Sequence, residues 1–395
     1  MSGPARPIVK LAAGQSRRAR GGHPWVFSNE IEMDVAAKAL PRGTLVNLQD
    51  AGGEKLGVAM FNPHSLIAAR FLTRDTSAVI DRDFLAARLT KALALRDLLF
   101  ARPFYRLIHA EADGLPGLVV DRYGDTLAVQ ANAAGIDLLL PVLIEALDQV
   151  LSPATIILKN DTSGRTLEGI ESYDRVVKGA IDGPVELEEN GARFLADLAE
   201  GQKTGWFFDQ RDNRAQVAAL SAGRSMVDFY SYAGGFAVQA MKAGAAKAVA
   251  VDRSESALEL AQRSASFNGV TIETVKAEAF AEMEKLGAAG ARFGMVVADP
   301  PAFVKSKKEL EAGAKGYRKM VRMAAPLVEP GGFLFAASCS HHIGAERFAE
   351  EVRHGLMNAG RTGRILRASG AAPDHPVHPY LPESAYLKAL LMQLD

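Results

Sequence analysis

From about residue 186 onward the chain alternates short apolar runs with amphipathic stretches, and two of the apolar runs stop on an acid, Asp252 and Asp299. This alternation is the strongest constraint on the fold. Strands joined through helices lie parallel in one sheet, and the helices cover both of its faces. The pattern predicts strands over Ser225–Tyr230, Ala248–Val251, Ile272–Lys276, Phe293–Ala298 and Phe333–Ala337, with Gly363–Ala368 and Tyr386–Leu394 closing the set. Helices are expected over Gly235–Ala243, Ser254–Asn268, Ala277–Leu286, Leu310–Val328 and Ala345–Ala359. A doubly wound sheet of this kind gathers its ligands beyond the carboxyl ends of its strands.

The preceding residues read differently. Residues 1–75 hold short strand-like runs (Ile8–Leu11, Thr44–Leu48, Lys55–Phe61, Leu66–Leu72) between turn signals, which suggests a small β domain. Residues 76–103 form a connector, with apolar side chains at helical spacing from Ile80 to Phe100. Residues 104–185 alternate strands with one long helix over Gly135–Leu151, a small α+β module; Asp121-Arg122-Tyr123-Gly124-Asp125 reads as turn chemistry. Residues 186–395 make up the doubly wound domain.

Lys plus Arg and Asp plus Glu number 46 each, a balance that leaves nucleic-acid binding open, since that needs only a local basic face. Such a face is present: Arg6, Lys10, Arg17, Arg18 and Arg20 precede the first acid, Glu30, and His23 and Trp25 follow closely. Phosphate contact with base stacking would use this pairing; a solvated loop beside a core Trp would look the same. Arg17-Arg18 is followed by Gly21-Gly22-His23-Pro24-Trp25 and no apolar segment, so a secretory signal is not expected. No apolar run approaches the roughly 18 residues of a membrane span. A single cysteine excludes an intrachain disulfide or a Cys-rich zinc site and fits a reducing cytoplasm.

Five strand ends carry polar chemistry. Tyr230-Ser231-Tyr232-Ala233-Gly234-Gly235 follows the first strand and opens a helix, where small residues and free N–H groups admit a ligand. Asp252 ends the second strand, where an acid can hold a ribose diol. Glu278 and Ala279 follow the third, and Glu278 either faces a base or simply favours the helix dipole. Asp299-Pro300-Pro301-Ala302-Phe303 stops the fourth with a stiff turn, a carboxylate and a stacking ring. Cys339 ends the fifth; free cysteine is commonly a small buried hydrophobe, but this one stands where a reacting group would stand. His341 and His342 point apart on an extended chain, and His375 and His378 have no ligand spacing, so no metal is expected.

These motifs together resemble the class I S-adenosylmethionine-dependent RNA cytosine-5 methyltransferases of the large-subunit rRNA methyltransferase I type. The resemblance spans nearly the whole chain. It includes Arg20-Gly21-Gly22-His23-Pro24-Trp25-Val26-Phe27-Ser28, similar to the family's PUA β-barrel, and His109–Leu118 with Asp121-Arg122-Tyr123, similar to its central domain. The block Gly201–Arg214 is the most distinctive, and Asp374-His375-Pro376-Val377, Pro382-Glu383 and Tyr386-Leu387-Lys388 also match. The resemblance implies a Rossmann-like methyltransferase sheet and S-adenosylmethionine bound by Lys203, Thr204, Asp209, Gln210, Tyr230, Ser231, Ala233, Gly234, Gly235, Asp252, Arg253, Glu278, Ala279 and Asp299. Glu278 replaces the family's usual Asp beside adenine. It further implies rRNA held through Arg17, Arg18, Arg20, His23, Trp25 and Phe303, catalysis by Cys339 and Asp299, and a homodimer. Ala302-Phe303 stands where some cytosine-5 methyltransferases carry a second cysteine; the C5 proton is then left to His341, His342, Tyr317 or water. An exocyclic-amine methyltransferase acting on guanine or adenine, with Cys339 structural, and a non-catalytic RNA-binding protein are the competing expectations.

Overall fold

The computed structural model describes residues 5–201 and 203–395; Gln202 of the Gly201–Arg214 block lies outside them. The chain divides into two units. The first comprises the residues up to Gly183 together with Asp197–Trp206 and Asp374–Ser384; the second comprises Pro184–Ala196, Phe207–Pro373 and Ala385–Asp395.

The first unit contains two five-stranded sheets. One has the order Ile8–Lys10, Thr44–Gln49, Lys55–Phe61, Ala69–Thr73, Trp25–Val26. Only the Ile8–Lys10 pairing is parallel. The second sheet orders Asp174–Lys178, Thr155–Lys159, Thr126–Ala131, Leu118–Tyr123 and Phe104–His109. The helix Arg82–Leu99 starts where Asp81 accepts the Phe84 N–H at 2.9 Å, an N-cap that satisfies one of the orphan donors of the first turn. Its Leu85 and Leu89 are fully buried in the core beneath that second sheet. The helix expected over Gly135–Leu151 is two helices, Ala134–Leu138 and Leu140–Leu151. Pro141 has no N–H to give to Asp137, and its ring crowds that carbonyl.

Asp121 is a second correction. It lies within a strand, is fully buried, and accepts both Nε and Nη2 of Arg106 at 2.8 and 2.9 Å. Turn chemistry belongs to Gly124 (φ +63°), not to this carboxylate.

The second unit opens with a hairpin, Val185–Glu189 paired antiparallel to Ala192–Ala196. Asn190-Gly191 at its tip is the two-residue sequence that such hairpins favour. After helix α1 (Arg211–Ala219) comes a seven-stranded sheet: β1 (Ser225–Phe229), β2 (Lys247–Asp252), β3 (Glu273–Lys276), β4 (Phe293–Ala298), β5 (Val328–Ser338), β6 (Gly363–Ser369) and β7 (Lys388–Leu394). Its order is β3-β2-β1-β4-β5-β7-β6. The first five strands are parallel, and β7 runs antiparallel to both neighbours. The crossovers are α2 (Gly235–Lys242), α3 (Glu255–Phe267), α4 (Ala279–Ala288), α5 (Leu310–Ala324) and α6 (Ala345–Asn358). Val227, Phe229, Val296, Leu334 and Ala336 are fully buried, as expected where helices cover both faces of parallel strands. Helix α5 stops at Ala324, short of the expected Val328, because Pro326 turns the chain into a 3-10 segment, Ala325–Leu327. Strand β5 then begins at Val328, well before the expected Phe333.

Candidate active site

Register places the strand ends on one edge. Phe229 pairs with Val251 and with Ala298, Asp252 with Lys276, and Ala298 with Ala336. Tyr230, Asp252, Glu278, Asp299 and Cys339 therefore emerge along the same rim of the sheet, as the strand-end rule requires.

At β1 the backbone makes an unusual turn, with positive φ at Tyr230 (62°), Tyr232 (48°) and Gly234 (74°). Non-glycine residues there store strain. The turn is held by Asp252, whose two carboxylate oxygens accept the N–H groups of Tyr232 and Ser254, each at 2.9 Å. At Gly234 a Cβ would stand 2.8 Å from the Cβ of Ala261 on α3, so no larger residue fits. Ala233 and Gly235 are buried beside it, and Arg253 and Glu278 are exposed. Glu278 is the N-cap residue of α4, its side chain making no capping bond, and Ala279 is buried.

The hydroxyls of Tyr230 and Ser231 are buried and have no hydrogen-bond partner among the described residues. Burial, and then the nearby Glu278, push the Tyr230 phenol upward. Leaving buried polar groups without partners is costly, so this cradle fits a polar ligand. The partly exposed Asp252 retains lone pairs for a vicinal diol.

Asp209, Gln210 and Asp299 converge. Gln210 Nε2 donates to Asp299 at 2.9 Å, and Gln210 Oε1 accepts from Asn213 at 2.6 Å. Asp209 accepts the Tyr386 hydroxyl at 2.5 Å. This segment is fixed from behind by the hairpin: buried Glu189 accepts from Arg214 at 2.8 Å and from Gln239 at 3.0 Å. Lys203 and Thr204 belong to the first unit. Lys203 is exposed, whereas Thr204 is buried and donates to Asp121 at 2.5 Å.

Cys339 is partly exposed, and its Sγ lies 3.9 Å from the carbonyl oxygen of Pro300. The thiol thus sits against the Asp299-Pro300-Pro301 turn. Phe303 is not a free stacking ring: it is packed against Phe280 (6.1 Å between centroids) and Tyr317 (4.8 Å).

Sequence reasoning missed three residues here. Ser340 Oγ is shared by the Tyr317 hydroxyl (2.7 Å) and the Val304 N–H (3.1 Å). Lys388, at the start of β7, donates to the carbonyls of Ser340 (2.5 Å) and Tyr386 (2.7 Å). The available signal was a lysine within the apolar run Leu387-Lys388-Ala389-Leu390-Leu391. Asp228, one residue before the end of β1, is fully buried with neither oxygen hydrogen-bonded among the described residues. Burial first, and then Asp299, push its carboxyl well above the ordinary range.

In the first unit the expected RNA-binding residues fall on one short segment. Arg17 is exposed and has no ion-pair partner among the described residues. Arg18 pairs with Glu30 at 3.2 Å and lies 4.7 Å over the Phe27 ring. Arg20 is held by Asp50 and Glu54. His23 accepts from Arg18 or donates to the Trp25 carbonyl, and Trp25 Nε1 donates to Glu111 at 2.7 Å.

A parallel sheet with this rim, following a small β domain, defines an S-adenosylmethionine-dependent methyltransferase with an N-terminal PUA-like domain. Residues 175–393 match the model of that methyltransferase family, and residues 9–74 match the PUA-like domain. The chain is 34% identical to "Ribosomal RNA large subunit methyltransferase I" of Aeromonas salmonicida, covering 98% of this chain and 99% of the relative. It is 36% identical to the protein of the same name from Aliivibrio fischeri, covering 96% and 97%. Among solved structures, a SAM-dependent methyltransferase from Streptococcus mutans shares the fold at TM-score 0.82 and 18% identity, over 98% of this chain and 100% of that one. A methyltransferase solved in complex with SAH matches at TM-score 0.83 and 18% identity, over 99% and 100%. The chain belongs to the ribosomal RNA large subunit methyltransferase I family. No helix among the described residues is long and apolar enough to cross a membrane.

Proposed function

We propose that this protein methylates C5 of a cytosine in large-subunit ribosomal RNA, with Cys339 as the nucleophile. The observation that carries the reading is the placement of a partly exposed thiol, the chain's only one, against the Asp299-Pro300-Pro301 turn. The name shared by the curated relatives supports the RNA class, and a lone reduced thiol suits the cytoplasm.

Cytosine C5 is a weak nucleophile. Addition of the Cys339 thiolate to C6 forms a C–S bond and moves the ring π electrons toward C5, which can then attack a methyl group. S-Adenosylmethionine supplies that methyl as a sulfonium electrophile. Loss of the C5 proton to a base then re-forms the C5–C6 double bond and breaks the C–S bond, returning the thiolate. Asp299, oriented by Gln210, would accept from the amino group of the base and, in its protonated form, donate to N3 as charge develops there. Asp252 would hold the ribose diol and the Tyr230–Gly235 turn the amino-acid end, with Ala279 and Glu278 beside adenine, Arg253 at the rim, and Asp209 supporting the cradle. The target base must leave its stack to be reached. Arg17, Arg18, Arg20, His23 and Trp25 would contact the RNA backbone and bases.

Large-subunit rRNA carrying 5-fluorocytosine cannot lose a C5 proton and should trap the adduct. We expect a denaturation-stable protein–RNA species with the wild type and none with Cys339→Ala. Turnover on natural rRNA should fall by about three orders of magnitude or more in that variant. Full turnover in Cys339→Ala with no adduct in the wild type would overturn the reading and favour methylation of an exocyclic amine held by Asp299.

A further inference from the structure

Lys388 is 8% exposed and has no carboxylate within ion-pair distance among the described residues. A buried ammonium without a counter-ion is expensive, and two carbonyl acceptors satisfy its protons without neutralising its charge. Burial lowers it to about 8, which leaves it mostly protonated at neutral pH, and the charged group that acts against this lowering is Cys339.

The geometry explains the pairing. Lys388 stands directly across the β5–β7 ladder from Ser338, the residue before Cys339. Its ammonium reaches forward to the Ser340 carbonyl, the residue after Cys339. The Ser340 side chain is tied in turn to Tyr317 on α5 and to the Val304 amide beyond the Asp299-Pro300-Pro301 turn. The Ser338-Cys339-Ser340 corner is thereby held from three elements, and the ammonium is bonded to the residue that follows the thiol.

We propose that Lys388 is the counter-ion of a Cys339 thiolate and, through its bond to Ser340, the positioning residue that fixes the thiol at the rim. Its bearing on catalysis rests on the reading of Cys339 as nucleophile; the ion pair itself does not.

Other groups face the same thiol. On the turn, the Pro300 carbonyl oxygen, 3.9 Å from Sγ, disfavours an anion. From α5, Tyr317 contributes a hydroxyl that burial keeps protonated. His341 stacks on Tyr386 at 5.1 Å, and Tyr386 donates to Asp209.

With one cysteine in the chain, alkylation of the native protein by iodoacetamide reports Cys339 alone. Its rate should be half-maximal at a pH below the roughly 8.5 of an ordinary thiol. In Lys388→Met that midpoint should rise by about one pH unit or more, and the rate at pH 7 should fall about tenfold; Lys388→Arg should restore most of it. Turnover in Lys388→Met should drop while the Kd for S-adenosylmethionine stays unchanged. A wild-type midpoint at or above about 8.5 overturns the assignment, even if Lys388→Met does not fold. A Lys388→Met profile superimposable on the wild type does so too. A shifted midpoint with Cys339→Ala still fully active upholds the ion pair and overturns only its use in catalysis.

Discussion

Asp228 sits where a carboxylate's charge is disfavoured. It is fully buried and feels both Asp299 and Asp252. Its carboxyl titrates higher in the folded protein than in the unfolded chain, so above the unfolded value of about 3.9 the native state holds a proton the unfolded state has lost. The stability this group contributes is therefore complete below that pH and is lost as pH rises toward the folded value, by up to about 1.4 kcal/mol per pH unit. Asp228→Asn is the neutral isostere. Urea unfolding at pH 5, 6 and 7 should show the variant gaining on the wild type as pH rises; parallel slopes would refute this. The contrast with Asp252 is physical. Asp252 is partly exposed and accepts two backbone N–H groups, whereas Asp228 is fully buried.

Between elements, α5 approaches the backbone of the loop after β4 closely. A Cβ on Gly313 would lie 2.5 Å from the Phe303 carbonyl oxygen and 2.7 Å from Val304 Cγ2. The first of these is backbone and cannot swing away. Gly313→Ala should therefore displace the loop that carries Asp299 and Ser340's partner Val304. We expect a loss of about 1–3 kcal/mol in denaturant unfolding, the usual cost of overpacking. We also expect turnover to fall at temperatures where the variant is fully folded. Unchanged turnover would mean that the loop absorbs the methyl group. The sheet itself was legible because Gly, Pro and Asp punctuate its strand ends, and Asp252, Asp299 and Cys339 could be placed from that punctuation. The Val185–Glu189 hairpin was legible too, through Asn190-Gly191, and was overlooked. What could not be read was Ser340 as a hub. Its partners Tyr317, Val304 and Lys388 lie on three elements far apart in the chain, and a serine carries no pattern that announces such a role. The break at Leu139 and the end of α5 follow from Pro141 and Pro326, whose effect depends on where the neighbouring turns fall.

Across the molecule, the first unit is assembled from three separate stretches of chain. Arg96 is fully buried and bonds both Asp113 oxygens at 2.6 and 2.8 Å, the Arg106 carbonyl at 2.9 Å and the Asp374 carbonyl at 3.0 Å. The Asp374 carboxylate in turn accepts the Arg106 N–H at 3.0 Å. Nearby, Arg106 grips Asp121, which also accepts from Thr204. Arg96→Met removes one charge and strands the Asp113 carboxylate. We expect a loss of about 3–5 kcal/mol by urea unfolding; a loss below about 1 kcal/mol would mean that the network is dispensable. The same geometry sets an order of events during synthesis. Arg96 and Asp113 leave the ribosome early, but Asp374 is made only after nearly all of the second unit. At typical elongation rates the interval after Gly183 is roughly 10 to 40 s. Until then the Arg96 guanidinium lacks one of its acceptors and the Arg106 amide lacks the Asp374 carboxylate. The unit that begins the chain is thus among the last parts of the protein to be completed.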